Sequence, residues 1–514
     1  MLIKNNRMKI FIKNLIPVFA VTFFLSCICF NSIIAQTKDI AYYISNAPFK
    51  MPGVPVPHFA DKKFSITDYG AVNDGKTLNT TAFAKAIEAC TNAGGGKVFV
   101  PAGTWLTGPI ELKSNVDLDL EKGAVIQFTA DHTQYPMIKT GGSNDNIAPE
   151  SPLYAYKATN IAITGEGVID GAGDSWRPVK KSKVPADVWY GMPTSGIISS
   201  DGKLWWPSVD AMNGESYLQK LKGKTDATPD DYLPARDYLR PYMLYLIQCD
   251  TILIQGVALR NSPKFVFYPN HCTNLTVDGA TIYNDWWAQN GDGMDISACK
   301  NVVIYNCLVN AGDDGICMKS SGGKDTIPEL QNIIIAGCTV LRAHGGFVIG
   351  SNTDGGMQDI YVADCNYTGT DVGIRVKSNP GRGGLVKNIY IDNITMSKIQ
   401  DEAILFATSY EDVPAGKNSK DVSTTTDDKI PEFTGFHISN IKCTGAKTAI
   451  SMTGLPGTPV HDIYFQNINI TYGEGFISTY AKDIYLDNVT LNAGDPLYST
   501  SKSKNIVVDG KQVD

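Results

Sequence analysis

Residues 301–320 read NVVIYNCLVNAGDDGICMKS, a stretch of short apolar runs bounded by asparagine, aspartate and glycine. Such runs, with almost no helical periodicity, predict short β-strands joined by turns. The opening of the stretch recurs along the chain as a polar residue, then alternating apolar positions, then a small or polar residue. Its eleven copies begin at residues 160, 251, 274, 301, 332, 359, 388, 435, 462, 483 and 505.

The spacing of these copies indicates one supersecondary unit that is repeated. From 251 to 388 the successive copies are 23, 27, 31, 27 and 29 residues apart. Two or three short strands per unit favour a parallel β-helix, because each coil buries its inward side chains only when neighbouring coils stack on it. Propeller blades need about 40 to 50 residues, and the leucine and asparagine positions of leucine-rich repeats are absent. We therefore predict an all-β solenoid.

Three kinds of segment interrupt or flank the repeat. NTTAFAKAIEACTNAGGG, residues 79–96, is the one convincing helix in the chain, with Phe83, Ala84 and Ile87 on one face. It precedes the first coils, where a cap over unpaired strand edges is required. We expect an irregular leader over residues 36–63, a β-helix over 64–514, a long excursion from the coil wall at about 172–242 and a shorter insertion at about 410–430.

The amino terminus is typical of an export signal. Four positive residues precede an apolar run from about Leu15 to Phe30, and the segment 1–35 ends in the small residue Ala35. The alternatives are a membrane anchor, although the run is shorter than the ~20 residues that a span needs, and lipid attachment at Cys27. We expect cleavage after residue 35, no membrane span in the mature chain, and a periplasmic, cell-surface or extracellular location.

Charge and cysteine content exclude several classes of protein. Loss of residues 1–35 removes four positive and no negative side chains, so the net charge changes from −7 to −11. Such a chain is not expected to bind nucleic acid, because neutralising phosphates needs a basic face. Nine of the eleven cysteines remain, an odd number without close C-x-x-C pairs, which argues against a zinc or a full disulfide framework. We expect most of these thiols to be buried as small apolar groups.

Four consecutive coils carry polar groups at a similar phase of the repeat. Coils stack about 4.8 Å apart, so groups at one phase in four coils span roughly 15 Å of a single face. Taken singly, each group has an ordinary interpretation as a turn aspartate, a loop histidine or a solvated strand face. Their appearance together at matched phase predicts a site. The offsets from the start of each copy are 18 for Asp292, 12 and 13 for Asp313 and Asp314, 12 for His344, and 16 and 18 for Arg375 and Lys377.

Acids, an imidazole and two cations on one patch fit the hydrolysis of a glycosidic bond. Two carboxyl groups must flank the bond with pKa values pushed apart, so that one is protonated and another is not. Close carboxylates do this to each other, because both cannot ionise cheaply. Adjacent strand residues point to opposite faces, so Asp313 and Asp314 can share a cleft only at a bend or bulge, which Gly312 and Gly315 would allow.

Four stretches together resemble a known family. NGDGMD at 290–295, GDDGICMKS at 312–320, AHGG at 343–346 and GIRVKS at 373–378 are similar, in this order and spacing, to the motifs of the polygalacturonase family of glycoside hydrolases. FSITDYGAVNDGKTLNTTAFAKAIEAC and the GRGG that starts at 381 also resemble that family, and the resemblance covers roughly residues 64 to 510. It implies a pectin-degrading enzyme with a right-handed, single-stranded parallel β-helix of the pectin lyase type and an amino-terminal capping helix.

The resemblance also implies a role for each matching residue. Asp313 would be the general acid, and Asp292 and Asp314 would activate the attacking water, giving inversion at the anomeric carbon. Carboxyl groups in such a scheme stand roughly 6.5 to 9.5 Å apart to admit the water. His344 would support the acid by hydrogen bonding. Substrate binding would fall to Arg375, Lys377 and Asn290, with Tyr410 as a further candidate for stacking or hydrogen bonding.

The expected function is a secreted, inverting hydrolase of α-1,4-galacturonosidic bonds in pectin. We expect it to trim chain ends more than cut internally, because the excursion can wall off one end of the groove and because GRGG resembles exo-acting bacterial members. The expected partner is an acidic polysaccharide, with no cofactor and no metal, and the expected state is a monomer. The alternatives are a rhamnogalacturonan or decorated-pectin hydrolase of the same fold, a calcium-dependent pectate lyase, and a non-catalytic carbohydrate-binding β-helix.

Overall fold

The structure is a computed structural model that describes residues 38–140, 147–322, 328–409, 429–492 and 497–514. From Ile40 onward the described residues form one compact unit. Parallel strands dominate it, and 33 strands join into a single sheet that winds round three walls. The predicted parallel β-helix is confirmed.

The three walls are built from short strands, numbered here in chain order. The first wall contains β1 (Lys63–Ser65), β2 (Gly96–Val100), β5 (Val116–Leu120), β10 (Thr159–Gly165), β16 (Asp250–Gln255), β19 (Thr273–Asp278), β22 (Lys300–Tyr305), β25 (Leu330–Ala336), β28 (Met357–Ala363) and β37 (Lys504–Val508). The second contains β3 (Gly103–Thr107), β6 (Ala124–Phe128), β11 (Val168–Asp170), β17 (Ala258–Arg260), β20 (Thr281–Tyr283), β23 (Leu308–Asn310), β26 (Thr339–Arg342) and β29 (Asn366–Thr368). The third contains β4 (Ile110–Glu111), β9 (Leu153–Tyr156), β15 (Leu244–Ile247), β18 (Phe267–Asn270), β21 (Met294–Ser297), β24 (Asp314–Lys319), β27 (Gly345–Ile349), β30 (Val372–Lys377), β32 (Glu402–Ala407) and β36 (Tyr498–Ser501).

The remaining strands either run through corners or lie outside the coils. Continuous strands pass from one wall into the next in the last coils, as β31 (Leu385–Ser397), β33 (Glu432–Thr453), β34 (Val460–Thr479) and β35 (Ala481–Asn492). Antiparallel pairs are formed by β7 (Met137–Lys139) with β8 (Ile147–Pro149), by β14 (Leu204–Trp206) with both β12 (Val179–Lys180) and β13 (Ile197–Ile198), and by β38 (Lys511–Gln512) with β37. The helices are α1 (Ile40–Ser45), α2 (Thr80–Asn92), α3 (Ala186–Tyr190), α4 (Val209–Leu221) and α5 (Arg236–Leu239).

The polar residue that opens each repeat copy marks a corner of the coil. In all eleven copies this residue has a positive φ, between 53° and 63°, a conformation that asparagine and aspartate tolerate better than most residues. The asparagine side chains also bond to one another along the axis. Asn301 Nδ2 donates to Asn274 Oδ1 at 3.0 Å, and Asn332 Nδ2 donates to Asn301 Oδ1 at 2.9 Å. At Asn274, Asn301 and Asn332 the repeat seen in the sequence is therefore a ladder of neutral amides that bond to each other.

The interior of the solenoid is filled by one apolar core, within which the thiols are aligned. All nine cysteines of the described residues are buried and unpaired, as the sequence predicted. Neighbouring thiols contact one another along two axial rows. The rows consist of Cys249, Cys272 and Cys299, and of Cys307, Cys338 and Cys365.

Helix α2 packs against the first coils, as expected for a cap. It buries Phe83, Ala86, Ile87 and Cys90 in the core, which is the spacing of a single helix face. Ala84 is exposed, so the prediction that it shares this face was wrong, because it lies about 100° round the helix from Phe83.

The excursion lies between β11 and β15 and contains α3, α4, α5 and the small sheet of β12, β13 and β14. Helix α4 is as long as α2, so the prediction of a single convincing helix was wrong. Its start is capped by Ser208, whose hydroxyl accepts from the backbone N–H of Ala211. It buries only Ala211 and Gly214, and this leaves little apolar periodicity to read from the sequence.

Within the described part of the chain, no helix combines the length and apolar character needed to cross a membrane. The predicted export signal at 1–35 lies outside the described residues.

Candidate active site

The predicted catalytic residues lie where neighbouring strands of the third wall begin. Asp313 directly precedes β24, Asp314 is the first residue of that strand, and His344 directly precedes β27. Asp314 pairs with Gly345, and Gly345 pairs with Val372 on β30. Parallel pairing thus aligns these positions on successive coils, and the structure brings the predicted acids and the imidazole into one cleft.

A bend in the chain lets two adjacent aspartates share this cleft. The chain bends at Gly312 and Asp313, and the strand resumes at Asp314. A β-carbon at position 312 would lie 2.4 Å from the carbonyl oxygen of Ala288 and 2.7 Å from that of Asp285. Only glycine therefore lets this turn pass so close to the previous coil.

Three carboxyl groups meet at the bend. Oxygens of Asp292, Asp313 and Asp314 all lie within 4.8 Å of one another. The limit applies to one oxygen of each group, whereas the roughly 6.5 to 9.5 Å expected from the resemblance refers to whole carboxyl groups, and that expectation stays a prediction. The acids lie on adjacent coils and adjacent residues, and the coil spacing of about 4.8 Å sets their separation. Three such groups cannot all ionise cheaply, and they titrate as a coupled set.

Asp314 is held as the carboxylate by two cations of β30, two coils away. Lys377 Nζ donates to Asp314 Oδ2 at 2.7 Å, and Arg375 lies 3.3 Å from Asp314 Oδ1. Burial alone would raise the pKa of Asp314, but the charges of Lys377, Arg375 and Lys319 outweigh it and lower the pKa far below its ordinary value. The two cations predicted to bind sugar carboxylates therefore already bind a protein carboxylate.

Asp292 experiences the opposite environment. Burial raises the pKa of Asp292 well above its ordinary value, and the charges of Asp295 and Asp313 add to the effect. Its Oδ1 is buried and accepts no hydrogen bond from any described residue. Beneath it, Asp295 is fully buried and lies 3.0 Å from Lys319 Nζ. Burial raises the pKa of Asp295 to about 6, although Lys319 opposes the shift.

His344 is held on both ring nitrogens by groups other than the acid. Its Nδ1 contacts Asp371 Oδ2, and its Nε2 lies 2.9 Å from Lys183 Nζ. Only the backbone N–H of His344 bonds to Asp313, donating to the carbonyl oxygen at 2.8 Å. The expected support of the acid by a hydrogen bond from the imidazole is therefore absent among the described residues, since both ring nitrogens are occupied.

The two remaining predicted binding residues have different outcomes. Asn290 lies beside the acids, and its Oδ1 accepts from Arg240 at 2.9 Å. The same guanidinium donates to the carbonyl oxygens of Gln289 and Pro263. Arg240 follows α5 at the end of the excursion, so the excursion fixes the loop that leads to Asp292. Tyr410 lies outside the described residues.

Some site residues were not identified from the sequence, although a signal existed for several of them. Asp371 lies 12 residues after the start of its repeat copy, the same offset as Asp313 and His344, and comparing offsets across one more coil would have found it. Asp295 and Lys319 stand inside the quoted motifs. Lys264 lies 13 residues after the copy that starts at 251, the same offset as Asp314, so the repeat phase would have found it as well. Lys183 and Arg240 come from the excursion, where no repeat phase can relate a residue to the cleft.

Two family models match the chain, and together they cover the repeat. Residues 192–494, more than half of the chain, match the model for glycosyl hydrolases family 28. The chain belongs to glycosyl hydrolases family 28. Residues 63–177 match a second model, rhamnogalacturonase A/epimerase, pectate lyase-like. All three clustered aspartates fall within the family 28 match, so this member of family 28 is a glycoside hydrolase with its acids in the matched region.

Relatives of this family 28 chain include proteins of both cleavage modes. It is 28% identical to a probable polygalacturonase of Vitis vinifera, over 79% of this chain and 74% of that one. It is 30% identical to an exo-poly-alpha-D-galacturonosidase of Dickeya chrysanthemi, over 76% and 64%, and 27% identical to an endo-polygalacturonase of Pectobacterium carotovorum, over 65% and 74%.

A solved structure supports the same placement in family 28. A hyperthermoactive exopolygalacturonase from Thermotoga maritima superposes with a TM-score of 0.66 at 25% identity, and the match covers 89% of this chain and 94% of that one. The fold, the acid cluster and the family thus agree on hydrolysis of a glycosidic bond.

Proposed function

We propose that the protein is an exported polygalacturonase that hydrolyses α-1,4-galacturonosidic bonds with inversion and acts on chain ends. The observation that carries this proposal is the cluster of three carboxyl groups within 4.8 Å whose members have opposite pKa shifts. A glycoside hydrolase needs a protonated and an ionised carboxyl on the same bond. Burial favours the protonated form of Asp292 and cations favour the ionised form of Asp314, so this cleft can hold both protonation states at once.

In the proposed mechanism Asp313 donates a proton to the leaving oxygen while Asp292 and Asp314 activate water. Lys377 and Arg375 keep Asp314 ionised, so it can accept a hydrogen bond and orient the water, whereas Asp292, whose pKa is raised, is the stronger proton acceptor. Two carboxyl oxygens that lie no more than 4.8 Å apart can both be within hydrogen-bond distance of a single water. Burial raises the pKa of Asp292 and so favours its protonated form; to accept a proton from water, Asp292 must have given up its own proton before the bond breaks.

Recognition of an acidic sugar needs a cation that is not already paired, and Lys264 meets this need. Its Nζ lies 4.8 Å from the centre of the Tyr242 ring and makes no ion pair with any described residue. Burial, and then the nearby charge of Arg240, lower the pKa of Lys264 to about 8, so an approaching carboxylate relieves an existing repulsion. Lys264→Met is expected to raise KM for polygalacturonate about tenfold with little change in kcat, since one charge-assisted hydrogen bond is lost.

The preference for chain ends rests on where the excursion packs. Tyr242, at its end, contacts Tyr245, Phe265 and Tyr268 with ring centres 4.5 to 5.0 Å apart. These rings cover the outer face of the third wall on the amino-terminal side of Asp292, where an internal cut would need open groove. The similarity to an exo-acting relative supports the same mode, and the similarity to an endo-acting one leaves it to be tested. The proposed export rests on the charged and apolar pattern of residues 1–35.

Product analysis on polygalacturonate tests the proposal. We expect mono- or digalacturonate as the main early product, formed with inverted anomeric configuration in early NMR spectra. A ladder of oligomers would refute the exo mode. Retained configuration would refute inversion and would indicate a covalent intermediate.

The roles of the individual acids are separated by an activated substrate. An aryl galacturonide with an acidic phenol needs no protonation of its leaving group. Asp313→Asn should therefore recover most of its activity on this substrate, whereas Asp292→Asn should not. If only Asp292→Asn recovers activity on this substrate, Asp292 is the acid and Asp313 is the residue that activates water.

The rhamnogalacturonan alternative is favoured by one observation, the match of residues 63–177 to the rhamnogalacturonase-like model. Faster release of sugar from rhamnogalacturonan than from polygalacturonate would establish it. A lyase would instead give a product with an ultraviolet-absorbing double bond and would lose activity in chelator. We expect neither result, since the proposed roles use carboxyl groups and water.

A further inference from the structure

One lysine of the excursion reaches into the catalytic cleft. Lys183 ends the short turn Lys181–Lys183, and its Nζ donates to the carbonyl oxygen of Gly312 at 2.7 Å and of Trp286 at 3.4 Å. The same nitrogen lies 2.9 Å from His344 Nε2 and 4.6 Å from the centre of the Trp286 ring. Trp286, Gly312 and His344 belong to the turns before β21, β24 and β27. One ammonium group therefore connects the three turns that lead into the catalytic strands.

The number of hydrogens on the lysine ammonium determines which ring nitrogen of His344 is protonated. A lysine ammonium has three hydrogens and no acceptor. Two of them are directed at carbonyl oxygens, which only accept, and the third is directed at His344 Nε2. That nitrogen must then be the unprotonated one, and Nδ1 must carry the hydrogen and donate it to Asp371 Oδ2.

The surrounding charges agree with a cation at this position. Asp371 faces the other side of the imidazole, and Asp313 is the strongest favourable charge acting on Lys183. Burial lowers the pKa of Lys183, and Asp313 opposes that effect. The guanidinium carbon of Arg342 also lies 4.4 Å from the centre of the Trp286 ring, so this ring contacts two cations.

We propose that Lys183 is a positioning residue that holds His344 as the neutral, Nδ1-protonated imidazole and places a fixed positive charge beside Asp313. The excursion is then part of the catalytic apparatus and not only a wall of the groove. The kinetic consequence rests on the proposed polygalacturonase function, whereas the state of the imidazole does not.

Nitrogen NMR of the histidine rings tests the first half of the proposal. The chain has only six histidines, and His344→Gln assigns the signal of interest by its loss. We expect the wild-type His344 signals of an Nδ1–H, Nε2-unprotonated ring, and we expect Lys183→Met to change them to another tautomer or to the doubly protonated ring. A wild-type Nε2–H ring, which would require a neutral amine that accepts, overturns the proposal, as do identical signals in Lys183→Met.

Kinetics test the second half. Lys183→Met should lower kcat on polygalacturonate about 100-fold through misplacement of the acid, while KM changes less than about threefold. Lys183→Arg keeps the donors and should recover at least about tenfold of this loss. The matched control is Lys203→Met, an exposed lysine of the same excursion, which should leave kcat unchanged. A loss confined to KM, or no recovery in Lys183→Arg, would overturn the positioning role. Absence of activity in the wild type on polygalacturonate would refute the substrate and leave the NMR result standing.

Discussion

Two rows of polar side chains follow the axis of the solenoid, and they behave differently. In the corner row, Asn274, Asn301 and Asn332 form a neutral run in which Asn301 donates to Asn274 and Asn332 donates to Asn301. The row in the third wall is charged, and its members Asp292 and Asp314 are both buried yet have opposite pKa shifts.

The difference shows that repetition alone does not define a function. A row of amides satisfies itself because each side chain both donates and accepts. A row of carboxyls cannot satisfy itself in this way, so the protonation of each carboxyl depends on which cations the other coils supply. Changes in the corner row should therefore alter stability alone, and changes in the charged row should alter activity and its pH dependence.

The largest effect is expected at the proposed acid. Asp313→Asn should lower kcat on polygalacturonate about 10³-fold, because a positioned general acid contributes about 10²- to 10⁴-fold. The melting temperature should change little, since the amide is nearly isosteric. Asp201→Asn, an exposed acid of the excursion, is the control and should be fully active. If Asp313→Asn keeps more than a tenth of the activity, the charged row is not catalytic.

A large effect on both stability and activity is expected at Lys377. Lys377→Met leaves the buried carboxylate of Asp314 without its 2.7 Å partner and should cost about 3 kcal/mol in urea unfolding at neutral pH. The folded pKa of Asp314 lies below its ordinary 3.8, so the stabilisation is present above about pH 4 and is lost as the pH falls through the folded pKa. The cost of the substitution should accordingly shrink in acid.

The double variant Asp314→Asn with Lys377→Met isolates the charge. It should recover most of the lost stability, because no buried carboxylate remains unpaired. It should recover none of the activity. Equal stability of the single and double variants would show that lost packing of the lysine, and not an unpaired charge, explains the effect.

A smaller effect is expected on the pH profile. The negative charge of Asp295 is the strongest charge that raises the pKa of Asp292. Asp295→Asn should therefore lower that pKa and move the acidic limb of kcat/KM to lower pH by about one unit. Removing Lys319 as well, in Asp295→Asn with Lys319→Met, should return the limb towards its original position. A limb that does not move in the single variant would exclude Asp292 from the ionisation that controls it.

The smallest effect is expected in the corner row. Asn301→Ala removes two side-chain hydrogen bonds at a residue with φ of 59° and should lower the free energy of unfolding by about 2 kcal/mol. Asn301→Gly relieves the backbone strain and should recover about 1 kcal/mol of that loss. Both variants should keep wild-type kcat, and a tenfold loss in either would erase the distinction between the two rows.

Most features that repeat could be predicted from the sequence, Asp371 being an exception, and those that do not repeat were missed. The strand pattern, the corner asparagines and the matched offsets of Asp313 and His344 all follow from one periodic signal. The offset of Asp371 carried the same signal. Lys183 is reached only through the excursion, whose path depends on packing of tryptophans and tyrosines that no period describes.

The two axial rows of buried thiols bear on how the protein would lose activity. While the core is closed, Cys249, Cys272 and Cys299 are shielded from oxidants, and so are Cys307, Cys338 and Cys365. Once heat opens the coils in an oxidising medium, neighbouring thiols meet oxidant and can cross-link in incorrect pairs. Refolding would then be blocked, and inactivation would follow the rate of opening and not an equilibrium. Survival of the enzyme outside a reducing compartment would thus be a matter of kinetic stability.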